Sequence, residues 1–179
     1  MAVPDSLTIK DISGTYTLNK ALSDSMQPML RMQNINFMVR QVVQYSSITV
    51  TLKQFADPKG KVHLEQQQTT TGGMRTTEDR IVDGEWSQKD NKIWGPVRTR
   101  TRFVKLRDID DDFLEAGWTQ DCLEGEVIET MNESLSDTWT ARQVYGLAEV
   151  NGEKKQVRKI VAKKGDQVER IRMVYNWKV

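Results

Sequence analysis

The 179-residue sequence is poor in the groups on which enzyme chemistry is most often built. It contains one cysteine, Cys122, so no disulfide can form within the chain, and a reducing compartment is expected. It contains one histidine, His63, and one Cys with one His cannot supply the N and S ligands of a structural zinc site. No apolar run approaches the roughly 20 residues of a membrane-spanning helix. The opening residues MAVPDSLTIKD lack the basic and apolar regions of a secretory leader, so the expected location is cytoplasmic. Charge of one sign is missing too. Against 25 Asp and Glu stand 26 Lys and Arg, a balance that gives no long-range field for nucleic acid or an anionic membrane. There is no Walker A loop, dinucleotide fingerprint or Gly-x-Ser-x-Gly elbow. Neither a cofactor nor a bound metal is expected, and oligomeric state is not legible.

What is present is rhythm. After Gly14-Thr15-Tyr16-Thr17-Leu18, the apolar residues Leu22, Met26, Met29 and Leu30 recur at helical spacing, with Ser23 or Asp24 as a plausible N-cap. Asn34 reads as the cap of a second helix whose buried face carries Ile35, Met38, Val39, Val42 and Val43. The helical region is thus placed at about residues 22–45. From Ser47 the period becomes two, beginning with Ile48, Val50 and Leu52. Turn signals then punctuate the chain at Asp57-Pro58-Lys59-Gly60, Gly72-Gly73, Asp83-Gly84, Lys89-Asp90-Asn91, Asn151-Gly152 and Lys164-Gly165-Asp166. About ten strands at hairpin spacing predict a mainly β protein, a closed antiparallel up-and-down barrel forming a single domain over 1–179.

Asp111-Asp112-Phe113-Leu114-Glu115 matches the acidic DDxxE pattern that holds magnesium and diphosphate in terpene synthases, but the second metal motif and the helical cavity of those enzymes are missing. The acids read instead as the N-terminus of a short helix that stops at Gly117. An EF-hand reading of Asp108, Asp110 and Asp112 fails because Phe113 and Thr119 occupy the Gly and terminal Glu positions. His63, between Val62 and Leu64, is expected to face solvent.

The Gly14-Thr15-Tyr16-x-Leu18 step, followed by two helices and then hairpin-linked strands, resembles the calycin superfamily, and within it the intracellular fatty-acid-binding architecture. The whole chain also resembles small fungal lipocalin-like proteins, some of them linked with natural-product pathways. This resemblance implies that the two helices cover the opening of a ligand-holding barrel. Two departures matter. Ser23-Asp24-Ser25 replaces the aromatic-acidic pair of the first helix, and the last strand has no Arg-x-Tyr, because Arg172 and Tyr175 stand an odd number of residues apart and face opposite sides. A neutral ring-containing metabolite of polyketide or terpenoid type is therefore expected rather than a fatty acid.

Strand parity gives the candidate ligand-binding residues. Thr99, Thr101 and Phe103 alternate with Arg98, Arg100 and Arg102 and are assigned to the interior. Trp139, Gln143 and Tyr145 share a face, to which Tyr16, Met131, Met173 and Tyr175 add aromatic and polarisable groups. Met26 and Met38 are the deformable cover. The expected function is binding of a small hydrophobic molecule inside the barrel. The alternative is a cofactor-free cyclase or isomerase in the same cavity, with Tyr145, Tyr175 and Gln143 as the groups that stabilise developing charge.

Overall fold

The computed structural model describes residues 1–178. Ten strands make one antiparallel sheet: β1 Gly14–Leu18, β2 Ile48–Ala56, β3 Val62–Thr70, β4 Arg75–Ile81, β5 Trp86–Asn91, β6 Gly95–Val104, β7 Val127–Ser134, β8 Thr140–Val150, β9 Glu153–Lys164 and β10 Gln167–Lys178. Their order is β4-β3-β2-β1-β10-β9-β8-β7-β6-β5, so every neighbour but β1 and β10 is also a sequence neighbour. Hairpin connections between alternating runs dictate this meander. The β8–β9 turn shows why: Asn151 (φ 54°) and Gly152 (φ 75°) both take the left-handed conformation that a type I′ turn requires.

The sheet curls, and β4 and β5 are its two edges. Among the described residues no ladder joins them, which departs from the closed ring expected from strand count. The reason is local. Val82 leaves β4 to form a parallel bridge with Thr101, and the Gly84 N–H donates to the Thr101 carbonyl at 2.9 Å. The end of β4 therefore meets β6, while β5 occupies β6 from Gly95 to Arg100. Side chains span the rest of the gap: Lys89 donates to the Asp79 carbonyl, and Asn91 Nδ2 to Glu78 Oε1 at 3.2 Å.

The helical region is shorter than its periodicity suggested, with α1 at Gln27–Met32 and α2 at Phe37–Tyr45. Neither Ser23 nor Asp24 caps α1. Their side chains bind β10 instead, accepting from the backbone N–H of Val174 and Arg172 respectively. Pro28 sits in the first turn of α1, where its missing N–H costs nothing. Asn34 takes φ 57° just after α1, and Asn36 is the residue whose side chain caps α2 by accepting from the Met38 N–H at 2.8 Å.

Lys89-Asp90-Asn91 belongs to β5, and the turn falls after it, at residues 92–94 before Gly95. The acidic stretch does form a short helix, α3 at Asp112–Glu115, with Asp111 Oδ1 accepting from the N–H groups of Phe113 and Leu114. The following stretch carries α4, Gln120–Glu124. Both helices lie against the outer face of β8 and β9. Trp118, between them, packs on Gly146, and Lys159 Nζ donates to the carbonyls of Phe113 and Ala116. No helix among the described residues is long and apolar enough to cross a membrane.

Candidate active site

The concave side of the sheet and the helical pair enclose a cavity of about 510 Å³, within the range of small-molecule sites. Its two ends differ in chemistry. Toward the helices the wall is apolar, with Met26, Met29, Val43, Ile93, Trp94 and Trp139. These residues come from α1, α2 and the turns joining β5 to β6 and β7 to β8. The arrangement is tied down by polar contacts: Trp94 Nε1 donates to Gln33 Oε1 at 3.1 Å, and Asp137 accepts from Asn34 at 2.9 Å and Lys164 at 2.7 Å.

Deeper in, the wall becomes polar. Gln66 of β3, Glu78 and Arg80 of β4, and Arg158 of β9 line it with Tyr145 and Tyr175. The Arg158 guanidinium lies 4.6 Å from the ring centre of Tyr145 and 4.6 Å from that of Tyr175. Its Nη1 donates to Gln66 Oε1 at 2.8 Å. Arg80 has an acidic partner in Glu78. Burial pushes the Tyr175 phenol up from its ordinary pKa, with Arg158 pulling against it, so Tyr175 is a neutral donor at physiological pH. Its hydroxyl reaches only the Met173 sulfur, at 3.7 Å.

Seven of the sequence-derived candidates lie on this wall: Met26, Thr99, Trp139, Gln143, Tyr145, Met173 and Tyr175. Five do not. Tyr16 is buried below the cavity, where its hydroxyl donates to the Ile12 carbonyl at 2.7 Å and its ring stands edge-on to Trp177. Thr101 faces inward but is paired with Thr130 at 3.1 Å, and Phe103 lies farther along the same strand. Met131 is on the outer face, where Arg100 donates to its sulfur, because β7 turns Thr130 and Asn132 inward. Met38 is 75% exposed, while Val39 and Val43 of α2 face the cavity.

Sequence parity missed Arg80 and Arg158. In β9 the alternation Gln156-Val157-Arg158-Lys159-Ile160-Val161 makes the outer face look the more apolar, since Val157 and Val161 are buried beneath the α3–α4 segment. Arg158 shares its parity with Ile160, which was the available signal. His63 is on the outer face as expected, yet largely covered. It stacks on Phe55 with ring centres 5.1 Å apart and stands between Asp57 (3.5 Å) and Asp79 (3.1 Å). Among the described residues no group of three or more His, Cys, Asp or Glu side chains is arranged to hold a metal ion.

No family model matches the chain. Full-length relatives do. The chain is 30% identical to pericyclase pydY of an Acremonium species over 99% of its own length and 97% of the relative's. The chain belongs to this pericyclase family. A probable pericyclase of Mollisia scopiformis, scpY, is 27% identical over 98% of this chain and 94% of that one. In fold the chain is similar to solved lipid- and fatty-acid-binding proteins. Apo lipid binding protein 8 of Caenorhabditis elegans superposes with a TM-score of 0.63 at 11% identity, covering 97% of this chain and 99% of that one. A fatty acid binding protein of Schistosoma mansoni, solved with arachidonic acid, gives 0.60 at 14% identity over 97% and 100%. At such identities the likeness shows the fold alone.

Proposed function

We propose that the protein is a cofactor-independent cyclase that closes a ring in a flexible hydrophobic natural-product precursor by a pericyclic reaction inside the cavity. The observation that carries this reading is the cavity of about 510 Å³, apolar toward the helices and polar at depth, in a chain of the pericyclase family. A pericyclic closure exchanges π bonds for σ bonds in one cycle of electrons. No proton, hydride or leaving group is transferred, so substrate and product are isomers and no metal or catalytic triad is needed. The enzyme's contribution is to fold the chain so that its reacting ends meet, which removes much of the entropic barrier. Donors at the deep end, Tyr145, Tyr175 and Gln143, stabilise the charge that shifts as the bonds form.

In this reading the sheet works as a barrel, its β4–β5 gap bridged by side chains, and residues 1–179 act as one cytoplasmic unit. The α1–α2 pair is its lid, opening to admit the precursor. The test is incubation of the purified protein with linear polyene precursors, followed by liquid chromatography and mass spectrometry. Loss of a precursor with the appearance of an isomer of identical mass, at a rate proportional to protein, is the expected result. Retention of the compound unchanged would make the protein a carrier instead.

A further inference from the structure

The least explained group in the molecule is Arg158. The residue is 3% exposed, and among the described residues its buried Nε and Nη2 have no hydrogen-bond partner. Among the described residues no carboxylate lies within salt-bridge distance of it. A buried guanidinium is costly unless its donors are used, and here only Nη1 is engaged, by Gln66. The free pair is also the pair with the most specific geometry. Nε–H and Nη2–H lie parallel on one edge of the guanidinium plane and form the fork that grips an oxygen or a pair of oxygens. The guanidinium carbon lies 4.6 Å from the ring centres of both Tyr145 and Tyr175, and these cation–π contacts restrain Arg158 at the wall of the cavity, where its two unpartnered donors are covered.

We infer that Arg158 holds the substrate by an oxygen conjugated with its reacting carbons, a carbonyl or the corresponding enolate. The hydrophobic remainder of the substrate then runs toward Met29, Trp94 and Trp139. This rests on the cavity being the substrate site, and it adds an orientation and a role. Two charge-assisted hydrogen bonds to a carbonyl draw electron density from the alkene conjugated with it, which favours bond formation to an electron-rich partner. The neutral ring-containing cargo of polyketide or terpenoid type expected from the sequence is thereby narrowed to acyl-bearing chains. Arg80, on the same wall, differs in already having a carboxylate partner in Glu78.

The test uses three linear conjugated tetraenes that differ only at one end: a terminal methyl ketone, the alcohol derived from it and the parent hydrocarbon. Binding to the full-length protein is followed by tryptophan quenching and by the polyene absorption maximum. The wild-type protein is expected to hold the ketone about tenfold or more tighter than the hydrocarbon, with a red shift of the bound ketone's absorption. Arg158→Met is expected to abolish that preference and the shift while leaving hydrocarbon affinity within about twofold. A fourth probe ending in a 1,3-diketone, measured below and above its own pKa, separates the two oxygen forms. Affinity that appears only on ionisation assigns the site to enolates.

Equal wild-type affinity for ketone and hydrocarbon, with no gain for the ionised diketone, overturns the inference whether or not the variant folds. So does an Arg158→Met protein that keeps the ketone preference. Failure of every probe, the hydrocarbon included, would instead remove the hydrophobic cavity site itself.

Discussion

At the scale of single residues, two glycines are fixed by the aromatic rings beside them. A Cβ on Gly14 would overlap the six-membered ring of Trp177, and one on Gly146 would overlap the indole of Trp118. Gly14→Ala and Gly146→Ala are each expected to cost roughly 1–3 kcal/mol of stability, measured by denaturant unfolding. The Gly-x-aromatic step of the first strand thus has a packing cause. Gly14 admits Trp177, and Tyr16 closes on the edge of the same indole, with ring centres 5.2 Å apart. His63 gives a pH signature. The hydrogen bond to Asp79, and then the one to Asp57, raise its pKa above the ordinary histidine value. Its stabilisation is fully present below the unfolded pKa and is lost as pH rises through the higher folded one. His63→Gln should therefore lower the melting temperature more at about pH 6 than at about pH 8, and a pH series of thermal melts checks it.

At the scale of elements, the contrast is between the edges and the middle of the sheet. Strands β4 and β5 carry unpaired backbone groups along the gap, whereas β8 and β9 are laddered on both sides and covered outside by the α3–α4 segment. Backbone amides of β4 that point away from β3 should exchange with solvent about tenfold or more faster than those at the centre of β9, as read by hydrogen exchange. The covered middle is also where sequence reading falters. A strand solvated on one face declares its interior by alternation, as Ile48, Val50 and Leu52 do on β2. On β9 every residue from Lys155 to Ala162 is buried, so parity no longer separates cavity from outer packing. On α2 helical spacing grouped Met38 with Val39 and Val43, but the packed stripe runs through the two valines and leaves Met38 in solvent.

At the scale of the whole molecule, the cavity couples binding to folding. A ligand that occupies only the folded form stabilises it by about 2.7 kcal/mol at a free concentration 100 times its Kd. For a chain of this size that corresponds to a rise of roughly 5–10 °C in melting temperature. The methyl-ketone tetraene should produce this rise in the wild-type protein, and a scan of melting temperature against ligand concentration measures it. A concentration-independent melting temperature would mean that the probe does not enter.

The sequence by itself determined the period-two meander, its Asn151-Gly152 hairpin, the early helical pair and seven residues of the cavity wall, six by strand parity and Met26 by helical spacing. These are local properties: turn chemistry, alternation and helical spacing act within a few residues of the chain. Only the tertiary structure decided that β4 and β5 stay unlinked, that Met131 faces outward and that Arg158 stands inside between two tyrosines. Each of these depends on which strand lies beside which and on what covers the outer face. A cation on β9 becomes a cavity-lining group only once β3, β8 and β10 have packed around it.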